Sequence, residues 1–334
     1  MHKTTGNVRS KLKQHRTLLQ IFLFCLVFFN SQSFTITNVA TKYKASIENT
    51  PKEILEQWEK QDVELHAYVQ SKVPAVLDHT GSATFDEHLI GVQSVLRFWK
   101  APAHLASAGL FHSIYGSEGF QGFCLPLSER ETLRKIIGTK AEFLVWIFCM
   151  VDRYTVDEHV IDWEKSGGEK IISNQTFVFR SRPELGRFEI KLNKEEFLDF
   201  IELTLADWLE QVEGAAQKNN PYFLWKIGEA YAYRRDQYAV MSKMLAQERA
   251  PRLTKIVPNM HRDVMATETE STIDLIQPRT PPVSKAAEVA LEALRSAGEN
   301  IPVNLAPQKR SKLTYTPEVA EKTLCQTSQC NDCI

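Results

Sequence analysis

The sequence has no Gly-x-Ser-x-Gly turn, no phosphate-cradling glycine loop and no dinucleotide glycine fingerprint. Those absences remove the recognisable parts of common serine hydrolases, nucleotidyl-transfer enzymes and Rossmann dehydrogenases. A dominant charge is missing as well. Forty basic against 41 acidic residues leave a formal charge of −1, so no overall field draws the chain to nucleic acid. Six cysteines in 334 residues are too few to frame a disulfide-built fold. Of these, Cys149 sits in an apolar helix with no histidine beside it and reads as inert packing. What remains is ordinary globular composition, 43% apolar and 24% charged, unevenly distributed along the chain.

Acidic residues are absent before Glu48, whereas Lys3, Arg9, Lys11, Lys13 and Arg16 precede an apolar run from Leu18 to Phe29. At 12 residues the run is too short to cross a hydrocarbon core of about 30 Å. A basic start, a short apolar stretch and the small residues Ser31 and Ser33 predict a signal peptide over residues 1–33. An uncleaved anchor or a buried helix is the alternative. Residues 34–49 are hydroxylated, basic and nearly acid-free, a linker of transit-peptide composition. The Ser33-Phe34 junction resembles the bipartite plastid-targeting presequences of algae with secondary plastids. The expected destination is the secretory pathway or the exterior, with a plastid as the alternative. Asn174-Gln-Thr176 is a glycosylation sequon, of consequence only in a secretory lumen. No stable membrane span is expected after cleavage.

At the other end, residues 262–334 hold six of the 14 prolines and one aromatic residue, Tyr315, while all six tryptophans lie between Trp58 and Trp225. Residues 251–334 are therefore expected to be a largely disordered tail, with a short helix across Ser284–Ala297. Cys325, Cys330 and Cys333 in it could bind a metal or form one disulfide with a thiol left over, but no histidine lies nearby as a fourth zinc ligand, so exposed tail cysteines are the preferred expectation.

Between these ends, residues 50–250 read as a mainly α-helical domain. Capping boxes, in which a side-chain oxygen and a carboxylate three residues on satisfy free amides, recur at Thr50/Glu53, Thr84/Glu87, Ser128/Glu131, Thr139/Glu142 and Asn193/Glu196. Apolar stripes at helical spacing agree: Leu89, Val92, Leu96 and Trp99; Leu144, Phe148 and Val151; Phe197, Ile201, Leu205 and Trp208. Gly138 is placed to end one helix before the next. A long helix is predicted over Pro221–Glu248. Ile171–Arg180 and Arg187–Leu192 alternate as a small β-hairpin around Pro183 and Gly186.

Chemistry concentrates in residues 78–153, with four of the nine histidines. His88 shares a helix face with Val92, Val95 and Trp99, and His112 shares one with Leu105 and Ala108, so both imidazoles point inward. A buried imidazole needs a partner, and two of them with a carboxylate suit one divalent transition metal, Zn, Mn or Fe. Asp152 is the expected third ligand, because Glu142 is committed to a capping box. His79 is a further nitrogen ligand or a cap on the turn before the helix. Tyr115 and Arg153 are candidates for orienting an anionic substrate, Arg153 through its planar fork. Asp207 and Glu210 form a second acidic pair. They either bind substrate, hold a ligand histidine in its tautomer, or pair with Arg234 or Arg235; the ion pair is the preferred expectation.

The runs AGLFHSIYG (108–116), AEFLV (141–145) and LADWLEQ (205–211), together with His88-Leu89, resemble domain of unknown function 6817 across roughly residues 55–247. That family is similar to the HD superfamily of metal-dependent phosphohydrolases. The likeness implies an HD-like helical domain with a first histidine, a His-Asp doublet and a distal aspartate around a metal. Here the doublet is His112-Ser113, and no His-Asp dipeptide occurs. A serine hydroxyl lacks the negative charge a second metal needs, which argues against a two-metal site. Three functions follow as expectations: a metal-dependent hydrolase of a small phosphorylated or otherwise anionic molecule, an iron-dependent oxygenase, or a non-catalytic binding module with structural histidines.

Overall fold

A computed structural model describes residues 50–72, 78–80, 83–118, 125–217 and 229–269. The expected signal peptide and linker, the helix across Ser284–Ala297, the tail cysteines and the side chain of His79 lie outside the described residues. Helix α1 (Lys52–Lys72) precedes a short β1/β2 pair (Asp78–Thr80, Ala83–Thr84), with His79 in β1. Helices α2 (Phe85–Phe98), α3 (Ala103–Phe111), α4 (Arg130–Ile137), α5 (Thr139–Met150) and α6 (Arg153–Lys165) follow. The antiparallel hairpin of β3 (Thr176–Arg180) and β4 (Glu189–Asn193) leads into α7 (Lys194–Gln217), and then come α8 (Glu229–Ala232), α9 (Arg235–Glu248) and α10 (Ile256–Met265). The domain is mainly helical, as expected. Among the described residues no helix is long and apolar enough to cross a membrane.

Helix α7 organises the fold, touching α2, α3, α5, α8, α9, α10 and the hairpin. Its start is set by a reciprocal cap: the Asn193 N–H donates to Glu196 Oε2 (2.9 Å) and the Glu196 N–H to Asn193 Oδ1 (3.0 Å). Helix α2 starts where expected, the Thr84 N–H donating to Glu87 Oε2 at 2.8 Å. Helix α3 is apolar on nearly every side, and Leu105 through Phe111 are all buried, as a helix with no polar face must be. The predicted stripes on α2, α5 and α7 are all buried, each large apolar side chain contributing roughly 1.5–3 kcal/mol. Gly109 lets α2 and α3 close on each other. A Cβ there would lie 2.6 Å from Leu96 Cδ1 and 3.3 Å from the Gln93 nitrogen.

Several expectations are corrected. Thr139 is the first residue of α5 and Gly138 (φ 86) takes the cap position, so Glu142 caps nothing. A 3-10 turn (Leu127–Glu129) precedes α4, and no side chain caps that helix. The helix expected over Pro221–Glu248 is broken at Tyr233–Arg234, its first eight residues lying outside the described segments. Arg234 adopts φ 54, and its buried guanidinium holds Asp157 Oδ1 from Nε (3.1 Å) and Nη2 (2.5 Å). Those charge-assisted bonds offset a left-handed residue costing about 1–2 kcal/mol.

The domain also runs past residue 250. Leu253, Val257, Met260 and Val264 are buried at helical spacing on and just before α10, so the tail cannot begin at Pro251. The proline-rich residues downstream dilute this stripe in a composition count.

Candidate metal centre

Three helices deliver the site. His88 stands one turn into α2, His112 follows the last residue of α3, and Asp207 and Glu210 lie one turn apart on α7. His88 Nε2 and His112 Nε2 are 3.2 Å apart, and Asp207 Oδ1 is 3.1 Å from the first and 3.2 Å from the second. The histidines are each about 1% exposed and the Asp207 side chain 15%, so Asp207 is the least buried of the three.

The outer ring nitrogens are already committed. His88 Nδ1 lies 2.5 Å from Glu210 Oε2, and His112 Nδ1 lies 2.7 Å from the Gly109 carbonyl. Carbonyl and carboxylate oxygens only accept, so both Nδ1 atoms carry the hydrogen and both neutral Nε2 atoms present lone pairs. Two nitrogen lone pairs and a carboxylate oxygen then converge with no hydrogen between them. That repulsive arrangement needs a cation at its centre, either one proton or one metal ion.

A metal fits. Ligand bonds of about 2.1 Å separate adjacent donors by roughly 3.0 Å in an octahedron and 3.4 Å in a tetrahedron, and the observed spacings fall between these. The proton alternative is also stable. Burial disfavours an imidazolium at His88, but Glu210 and Asp207 outweigh that and raise it to about 9. Burial likewise opposes ionisation of Asp207, yet His112 and His88 hold its carboxyl well below the usual range.

Surrounding groups fix the donors. Gln211, one turn after Asp207, donates from Nε2 to Oδ1 at 3.0 Å. A Cβ on Gly91 would fall on Glu210 Oε1, so only glycine leaves that carboxylate room beside α2. Cys149 donates to the His112 carbonyl (3.2 Å), and burial pushes its thiol up to about 12, consistent with packing.

The expected third ligand is elsewhere. Helix α5 ends at Met150 and Val151 is extended, which turns Asp152 off the face it would share with Cys149. Asp152 instead caps α6, accepting from the Tyr154 N–H (3.0 Å), and pairs with Arg187 of the hairpin. Asp207 occupies the place expected of Asp152. Asp207 and Glu210 both turn to the histidines, while Arg234 takes Asp157 and Arg235 takes Glu268.

Tyr115 is also engaged elsewhere. Its buried hydroxyl donates to Glu142 (3.2 Å), and burial together with the Glu142 charge pushes it far above its ordinary value. Glu142 is buried and held by Arg130 (2.6 Å) and Arg134 (2.9 Å), which accounts for its absence from the cluster. Arg153 does lie beside the site: its guanidinium covers Phe148 at 3.9 Å from the ring centroid, and Phe148 meets the His112 ring edge-on at 4.7 Å.

The profile of one family matches this chain. Residues 68–153 match domain of unknown function 6817. No curated protein and no solved structure matches. The DUF6817 match is narrower than the span of the resemblance. It contains His88 and His112 but leaves Asp207 and Glu210 outside, so the third donor comes from chain beyond the matched segment. The signal for Asp207 is its place on the buried α7 stripe, seven residues after Phe200 and four after Leu203.

Proposed function

We propose that the domain holds one divalent transition metal through His88 Nε2, His112 Nε2 and Asp207 Oδ1, and hydrolyses a small anionic or phosphorylated molecule. One observation carries the reading: three acceptors converge at 3.1–3.2 Å with both histidine Nδ1 atoms already used. Three protein donors leave coordination positions open, the pattern of catalytic rather than structural sites. An ion there would supply Lewis acidity and bring the pKa of water to about 7. Glu210 and the Gly109 carbonyl keep the imidazoles in the ligating tautomer, Gln211 orients Asp207, and Arg153 faces the substrate. Ser113 offers no charge for a second ion, which supports a mononuclear site.

The test is metal analysis of the purified chain, followed by assay of Zn-, Mn- and Fe-loaded protein on phosphomonoesters and phosphodiesters. Metal-dependent turnover lost in Asp207→Ala supports the reading. A metal-loaded protein inert on every ester overturns it. Two histidines and one carboxylate are also a donor set of iron oxygenases, a specific reason to keep that second reading. Anaerobic Fe(II) loading followed by oxygen-uptake measurement separates the two. The basic, acid-free first 47 residues support entry into the secretory pathway, with or without onward passage to a plastid, and N-terminal sequencing of the mature chain checks it.

A further inference from the structure

Arg153 is held from several sides, yet among the described residues no carboxylate pairs directly with its guanidinium. Its own N–H donates to Glu118 Oε2 (2.8 Å), its carbonyl accepts from Arg234 Nη2 (2.8 Å), and Asp152 caps the turn it begins. Its side chain lies across Phe148 (3.9 Å) and reaches Phe200 (5.5 Å), while Nη1 donates to Thr204 Oγ1 at 3.1 Å. Phe200, Thr204 and Asp207 are one stripe of α7, at offsets of four and seven. The fork is therefore laid along the helix that carries the third metal donor, one turn from it.

Other guanidiniums of the domain close on carboxylates: Arg130 on Glu142, Arg187 on Asp152, Arg234 on Asp157 and Arg252 on Glu202. Among the described residues no carboxylate lies within ion-pair distance of the Arg153 guanidinium. Its Nε and Nη2 make no hydrogen bond there and are not sealed from solvent. Burial and the neighbouring Arg234 both work against this charge, with Asp207 partly restoring it. A partly buried cation without a directly paired carboxylate costs stability. A stacked guanidinium with two free donors is set up for a planar pair of anionic oxygens.

We propose that Arg153 and Thr204 form an oxyanion subsite, which receives a phosphate or carboxylate group of the substrate one turn of α7 from the His88–His112–Asp207 cluster. Its place in catalysis rests on the hydrolase reading, but its binding test does not. The full chain, stripped of metal with a chelator, is titrated with inorganic phosphate and in parallel with acetate by calorimetry.

The wild-type chain is expected to bind at least one of the two anions at one site. Arg153→Gln should weaken that binding about tenfold or more, and Arg153→Lys, which keeps the charge but loses the fork, by severalfold. Thr204→Val, which leaves the aromatic stack intact, should weaken it severalfold and serves if Arg153→Gln does not fold. Zn affinity should stay within about twofold in Arg153→Gln. Binding of phosphate alone assigns a phosphoryl group and of acetate alone a carboxylate; either supports the subsite. No saturable binding of either anion, or unchanged binding in Arg153→Gln and Thr204→Val, overturns it. A wild-type chain that binds Zn but neither anion sinks only the subsite, whereas a wild-type chain that binds an anion but takes no metal sinks only the metal centre.

Discussion

Helix α7 makes two histidine–carboxylate contacts that look alike in sequence and differ in charge balance. Near its start, Asp199 accepts from His104 (2.8 Å), Lys140 (2.8 Å) and Arg249 (2.6 Å), and one turn on Glu202 holds Arg252 through two bonds of 2.7 Å. Just past its middle, Asp207 faces two imidazoles and the Gln211 amide, with no Lys or Arg in ion-pair contact among the described residues. The first cluster carries its own cations and ties α3, α5 and the α9–α10 connection to α7. The second has no Lys or Arg among the described residues to play that part, and its geometry calls for a proton or a metal ion at its centre. A cluster that supplies its own cations serves stability, whereas one that does not has room for an ion from solution.

Removing a donor should separate the two most strongly. Asp207→Ala and His112→Ala are each expected to lower metal affinity at least about a hundredfold. Asp207→Ala should shift the urea midpoint of the metal-free chain little, whereas His112→Ala also empties a buried site against Phe148 and should cost about 2 kcal/mol or more. The mirror experiment is Glu202→Ala, which strands the Arg252 charge. A loss of about 3 kcal/mol in urea unfolding is expected, with metal stoichiometry unaltered. Glu210→Gln keeps the shape but removes the charge that orients His88, and metal affinity should fall about 10- to 100-fold. Gly91→Ala should act through the same carboxylate by displacing its flexible end. About a tenfold loss of affinity and no more than about 1 kcal/mol of stability are expected, read by metal titration and thermal melting.

The smallest effect is the acid response of the saturated cluster. Burial raises the Asp199 pKa, but the bonds from His104 and Lys140 and the charge of Arg249 outweigh it, so the folded value lies below the ordinary 3.8. A depressed carboxylate contributes stability that is present above its unfolded pKa and lost as pH falls through the folded one. Asp199→Asn should therefore flatten the decline of the urea midpoint below about pH 4, where the wild type keeps falling.

Much of the fold was legible in local signals. The Asn193/Glu196 cap and the stripe Phe197–Ile201–Leu205–Trp208 define α7, because both depend on residues within a few turns. Thr139/Glu142 has the same pattern without making a cap, since two arginines from the preceding helix claim Glu142, and spacing does not reveal distant partners. The inward placement of His88 and His112 was legible from their stripes.

Helical periodicity places Asp152 on the Cys149 face only if α5 runs two residues past Met150, where it ends. An aspartate directly before a new helix is itself a cap signal, and that was the better reading. Asp207 was seen to face inward, but its choice between two histidines and two arginines depends on the break at Arg234, which Asp157 holds from far along the chain.

Elemental analysis of the purified chain, after equilibration with Zn, Mn or Fe and removal of loosely bound ions, tests the central claim most directly. The geometry predicts close to one equivalent of one metal per chain, abolished in His112→Ala. Less than about 0.2 equivalents of every metal in the wild type would mean that a proton on His88 fills the triangle, and would contradict the metal centre.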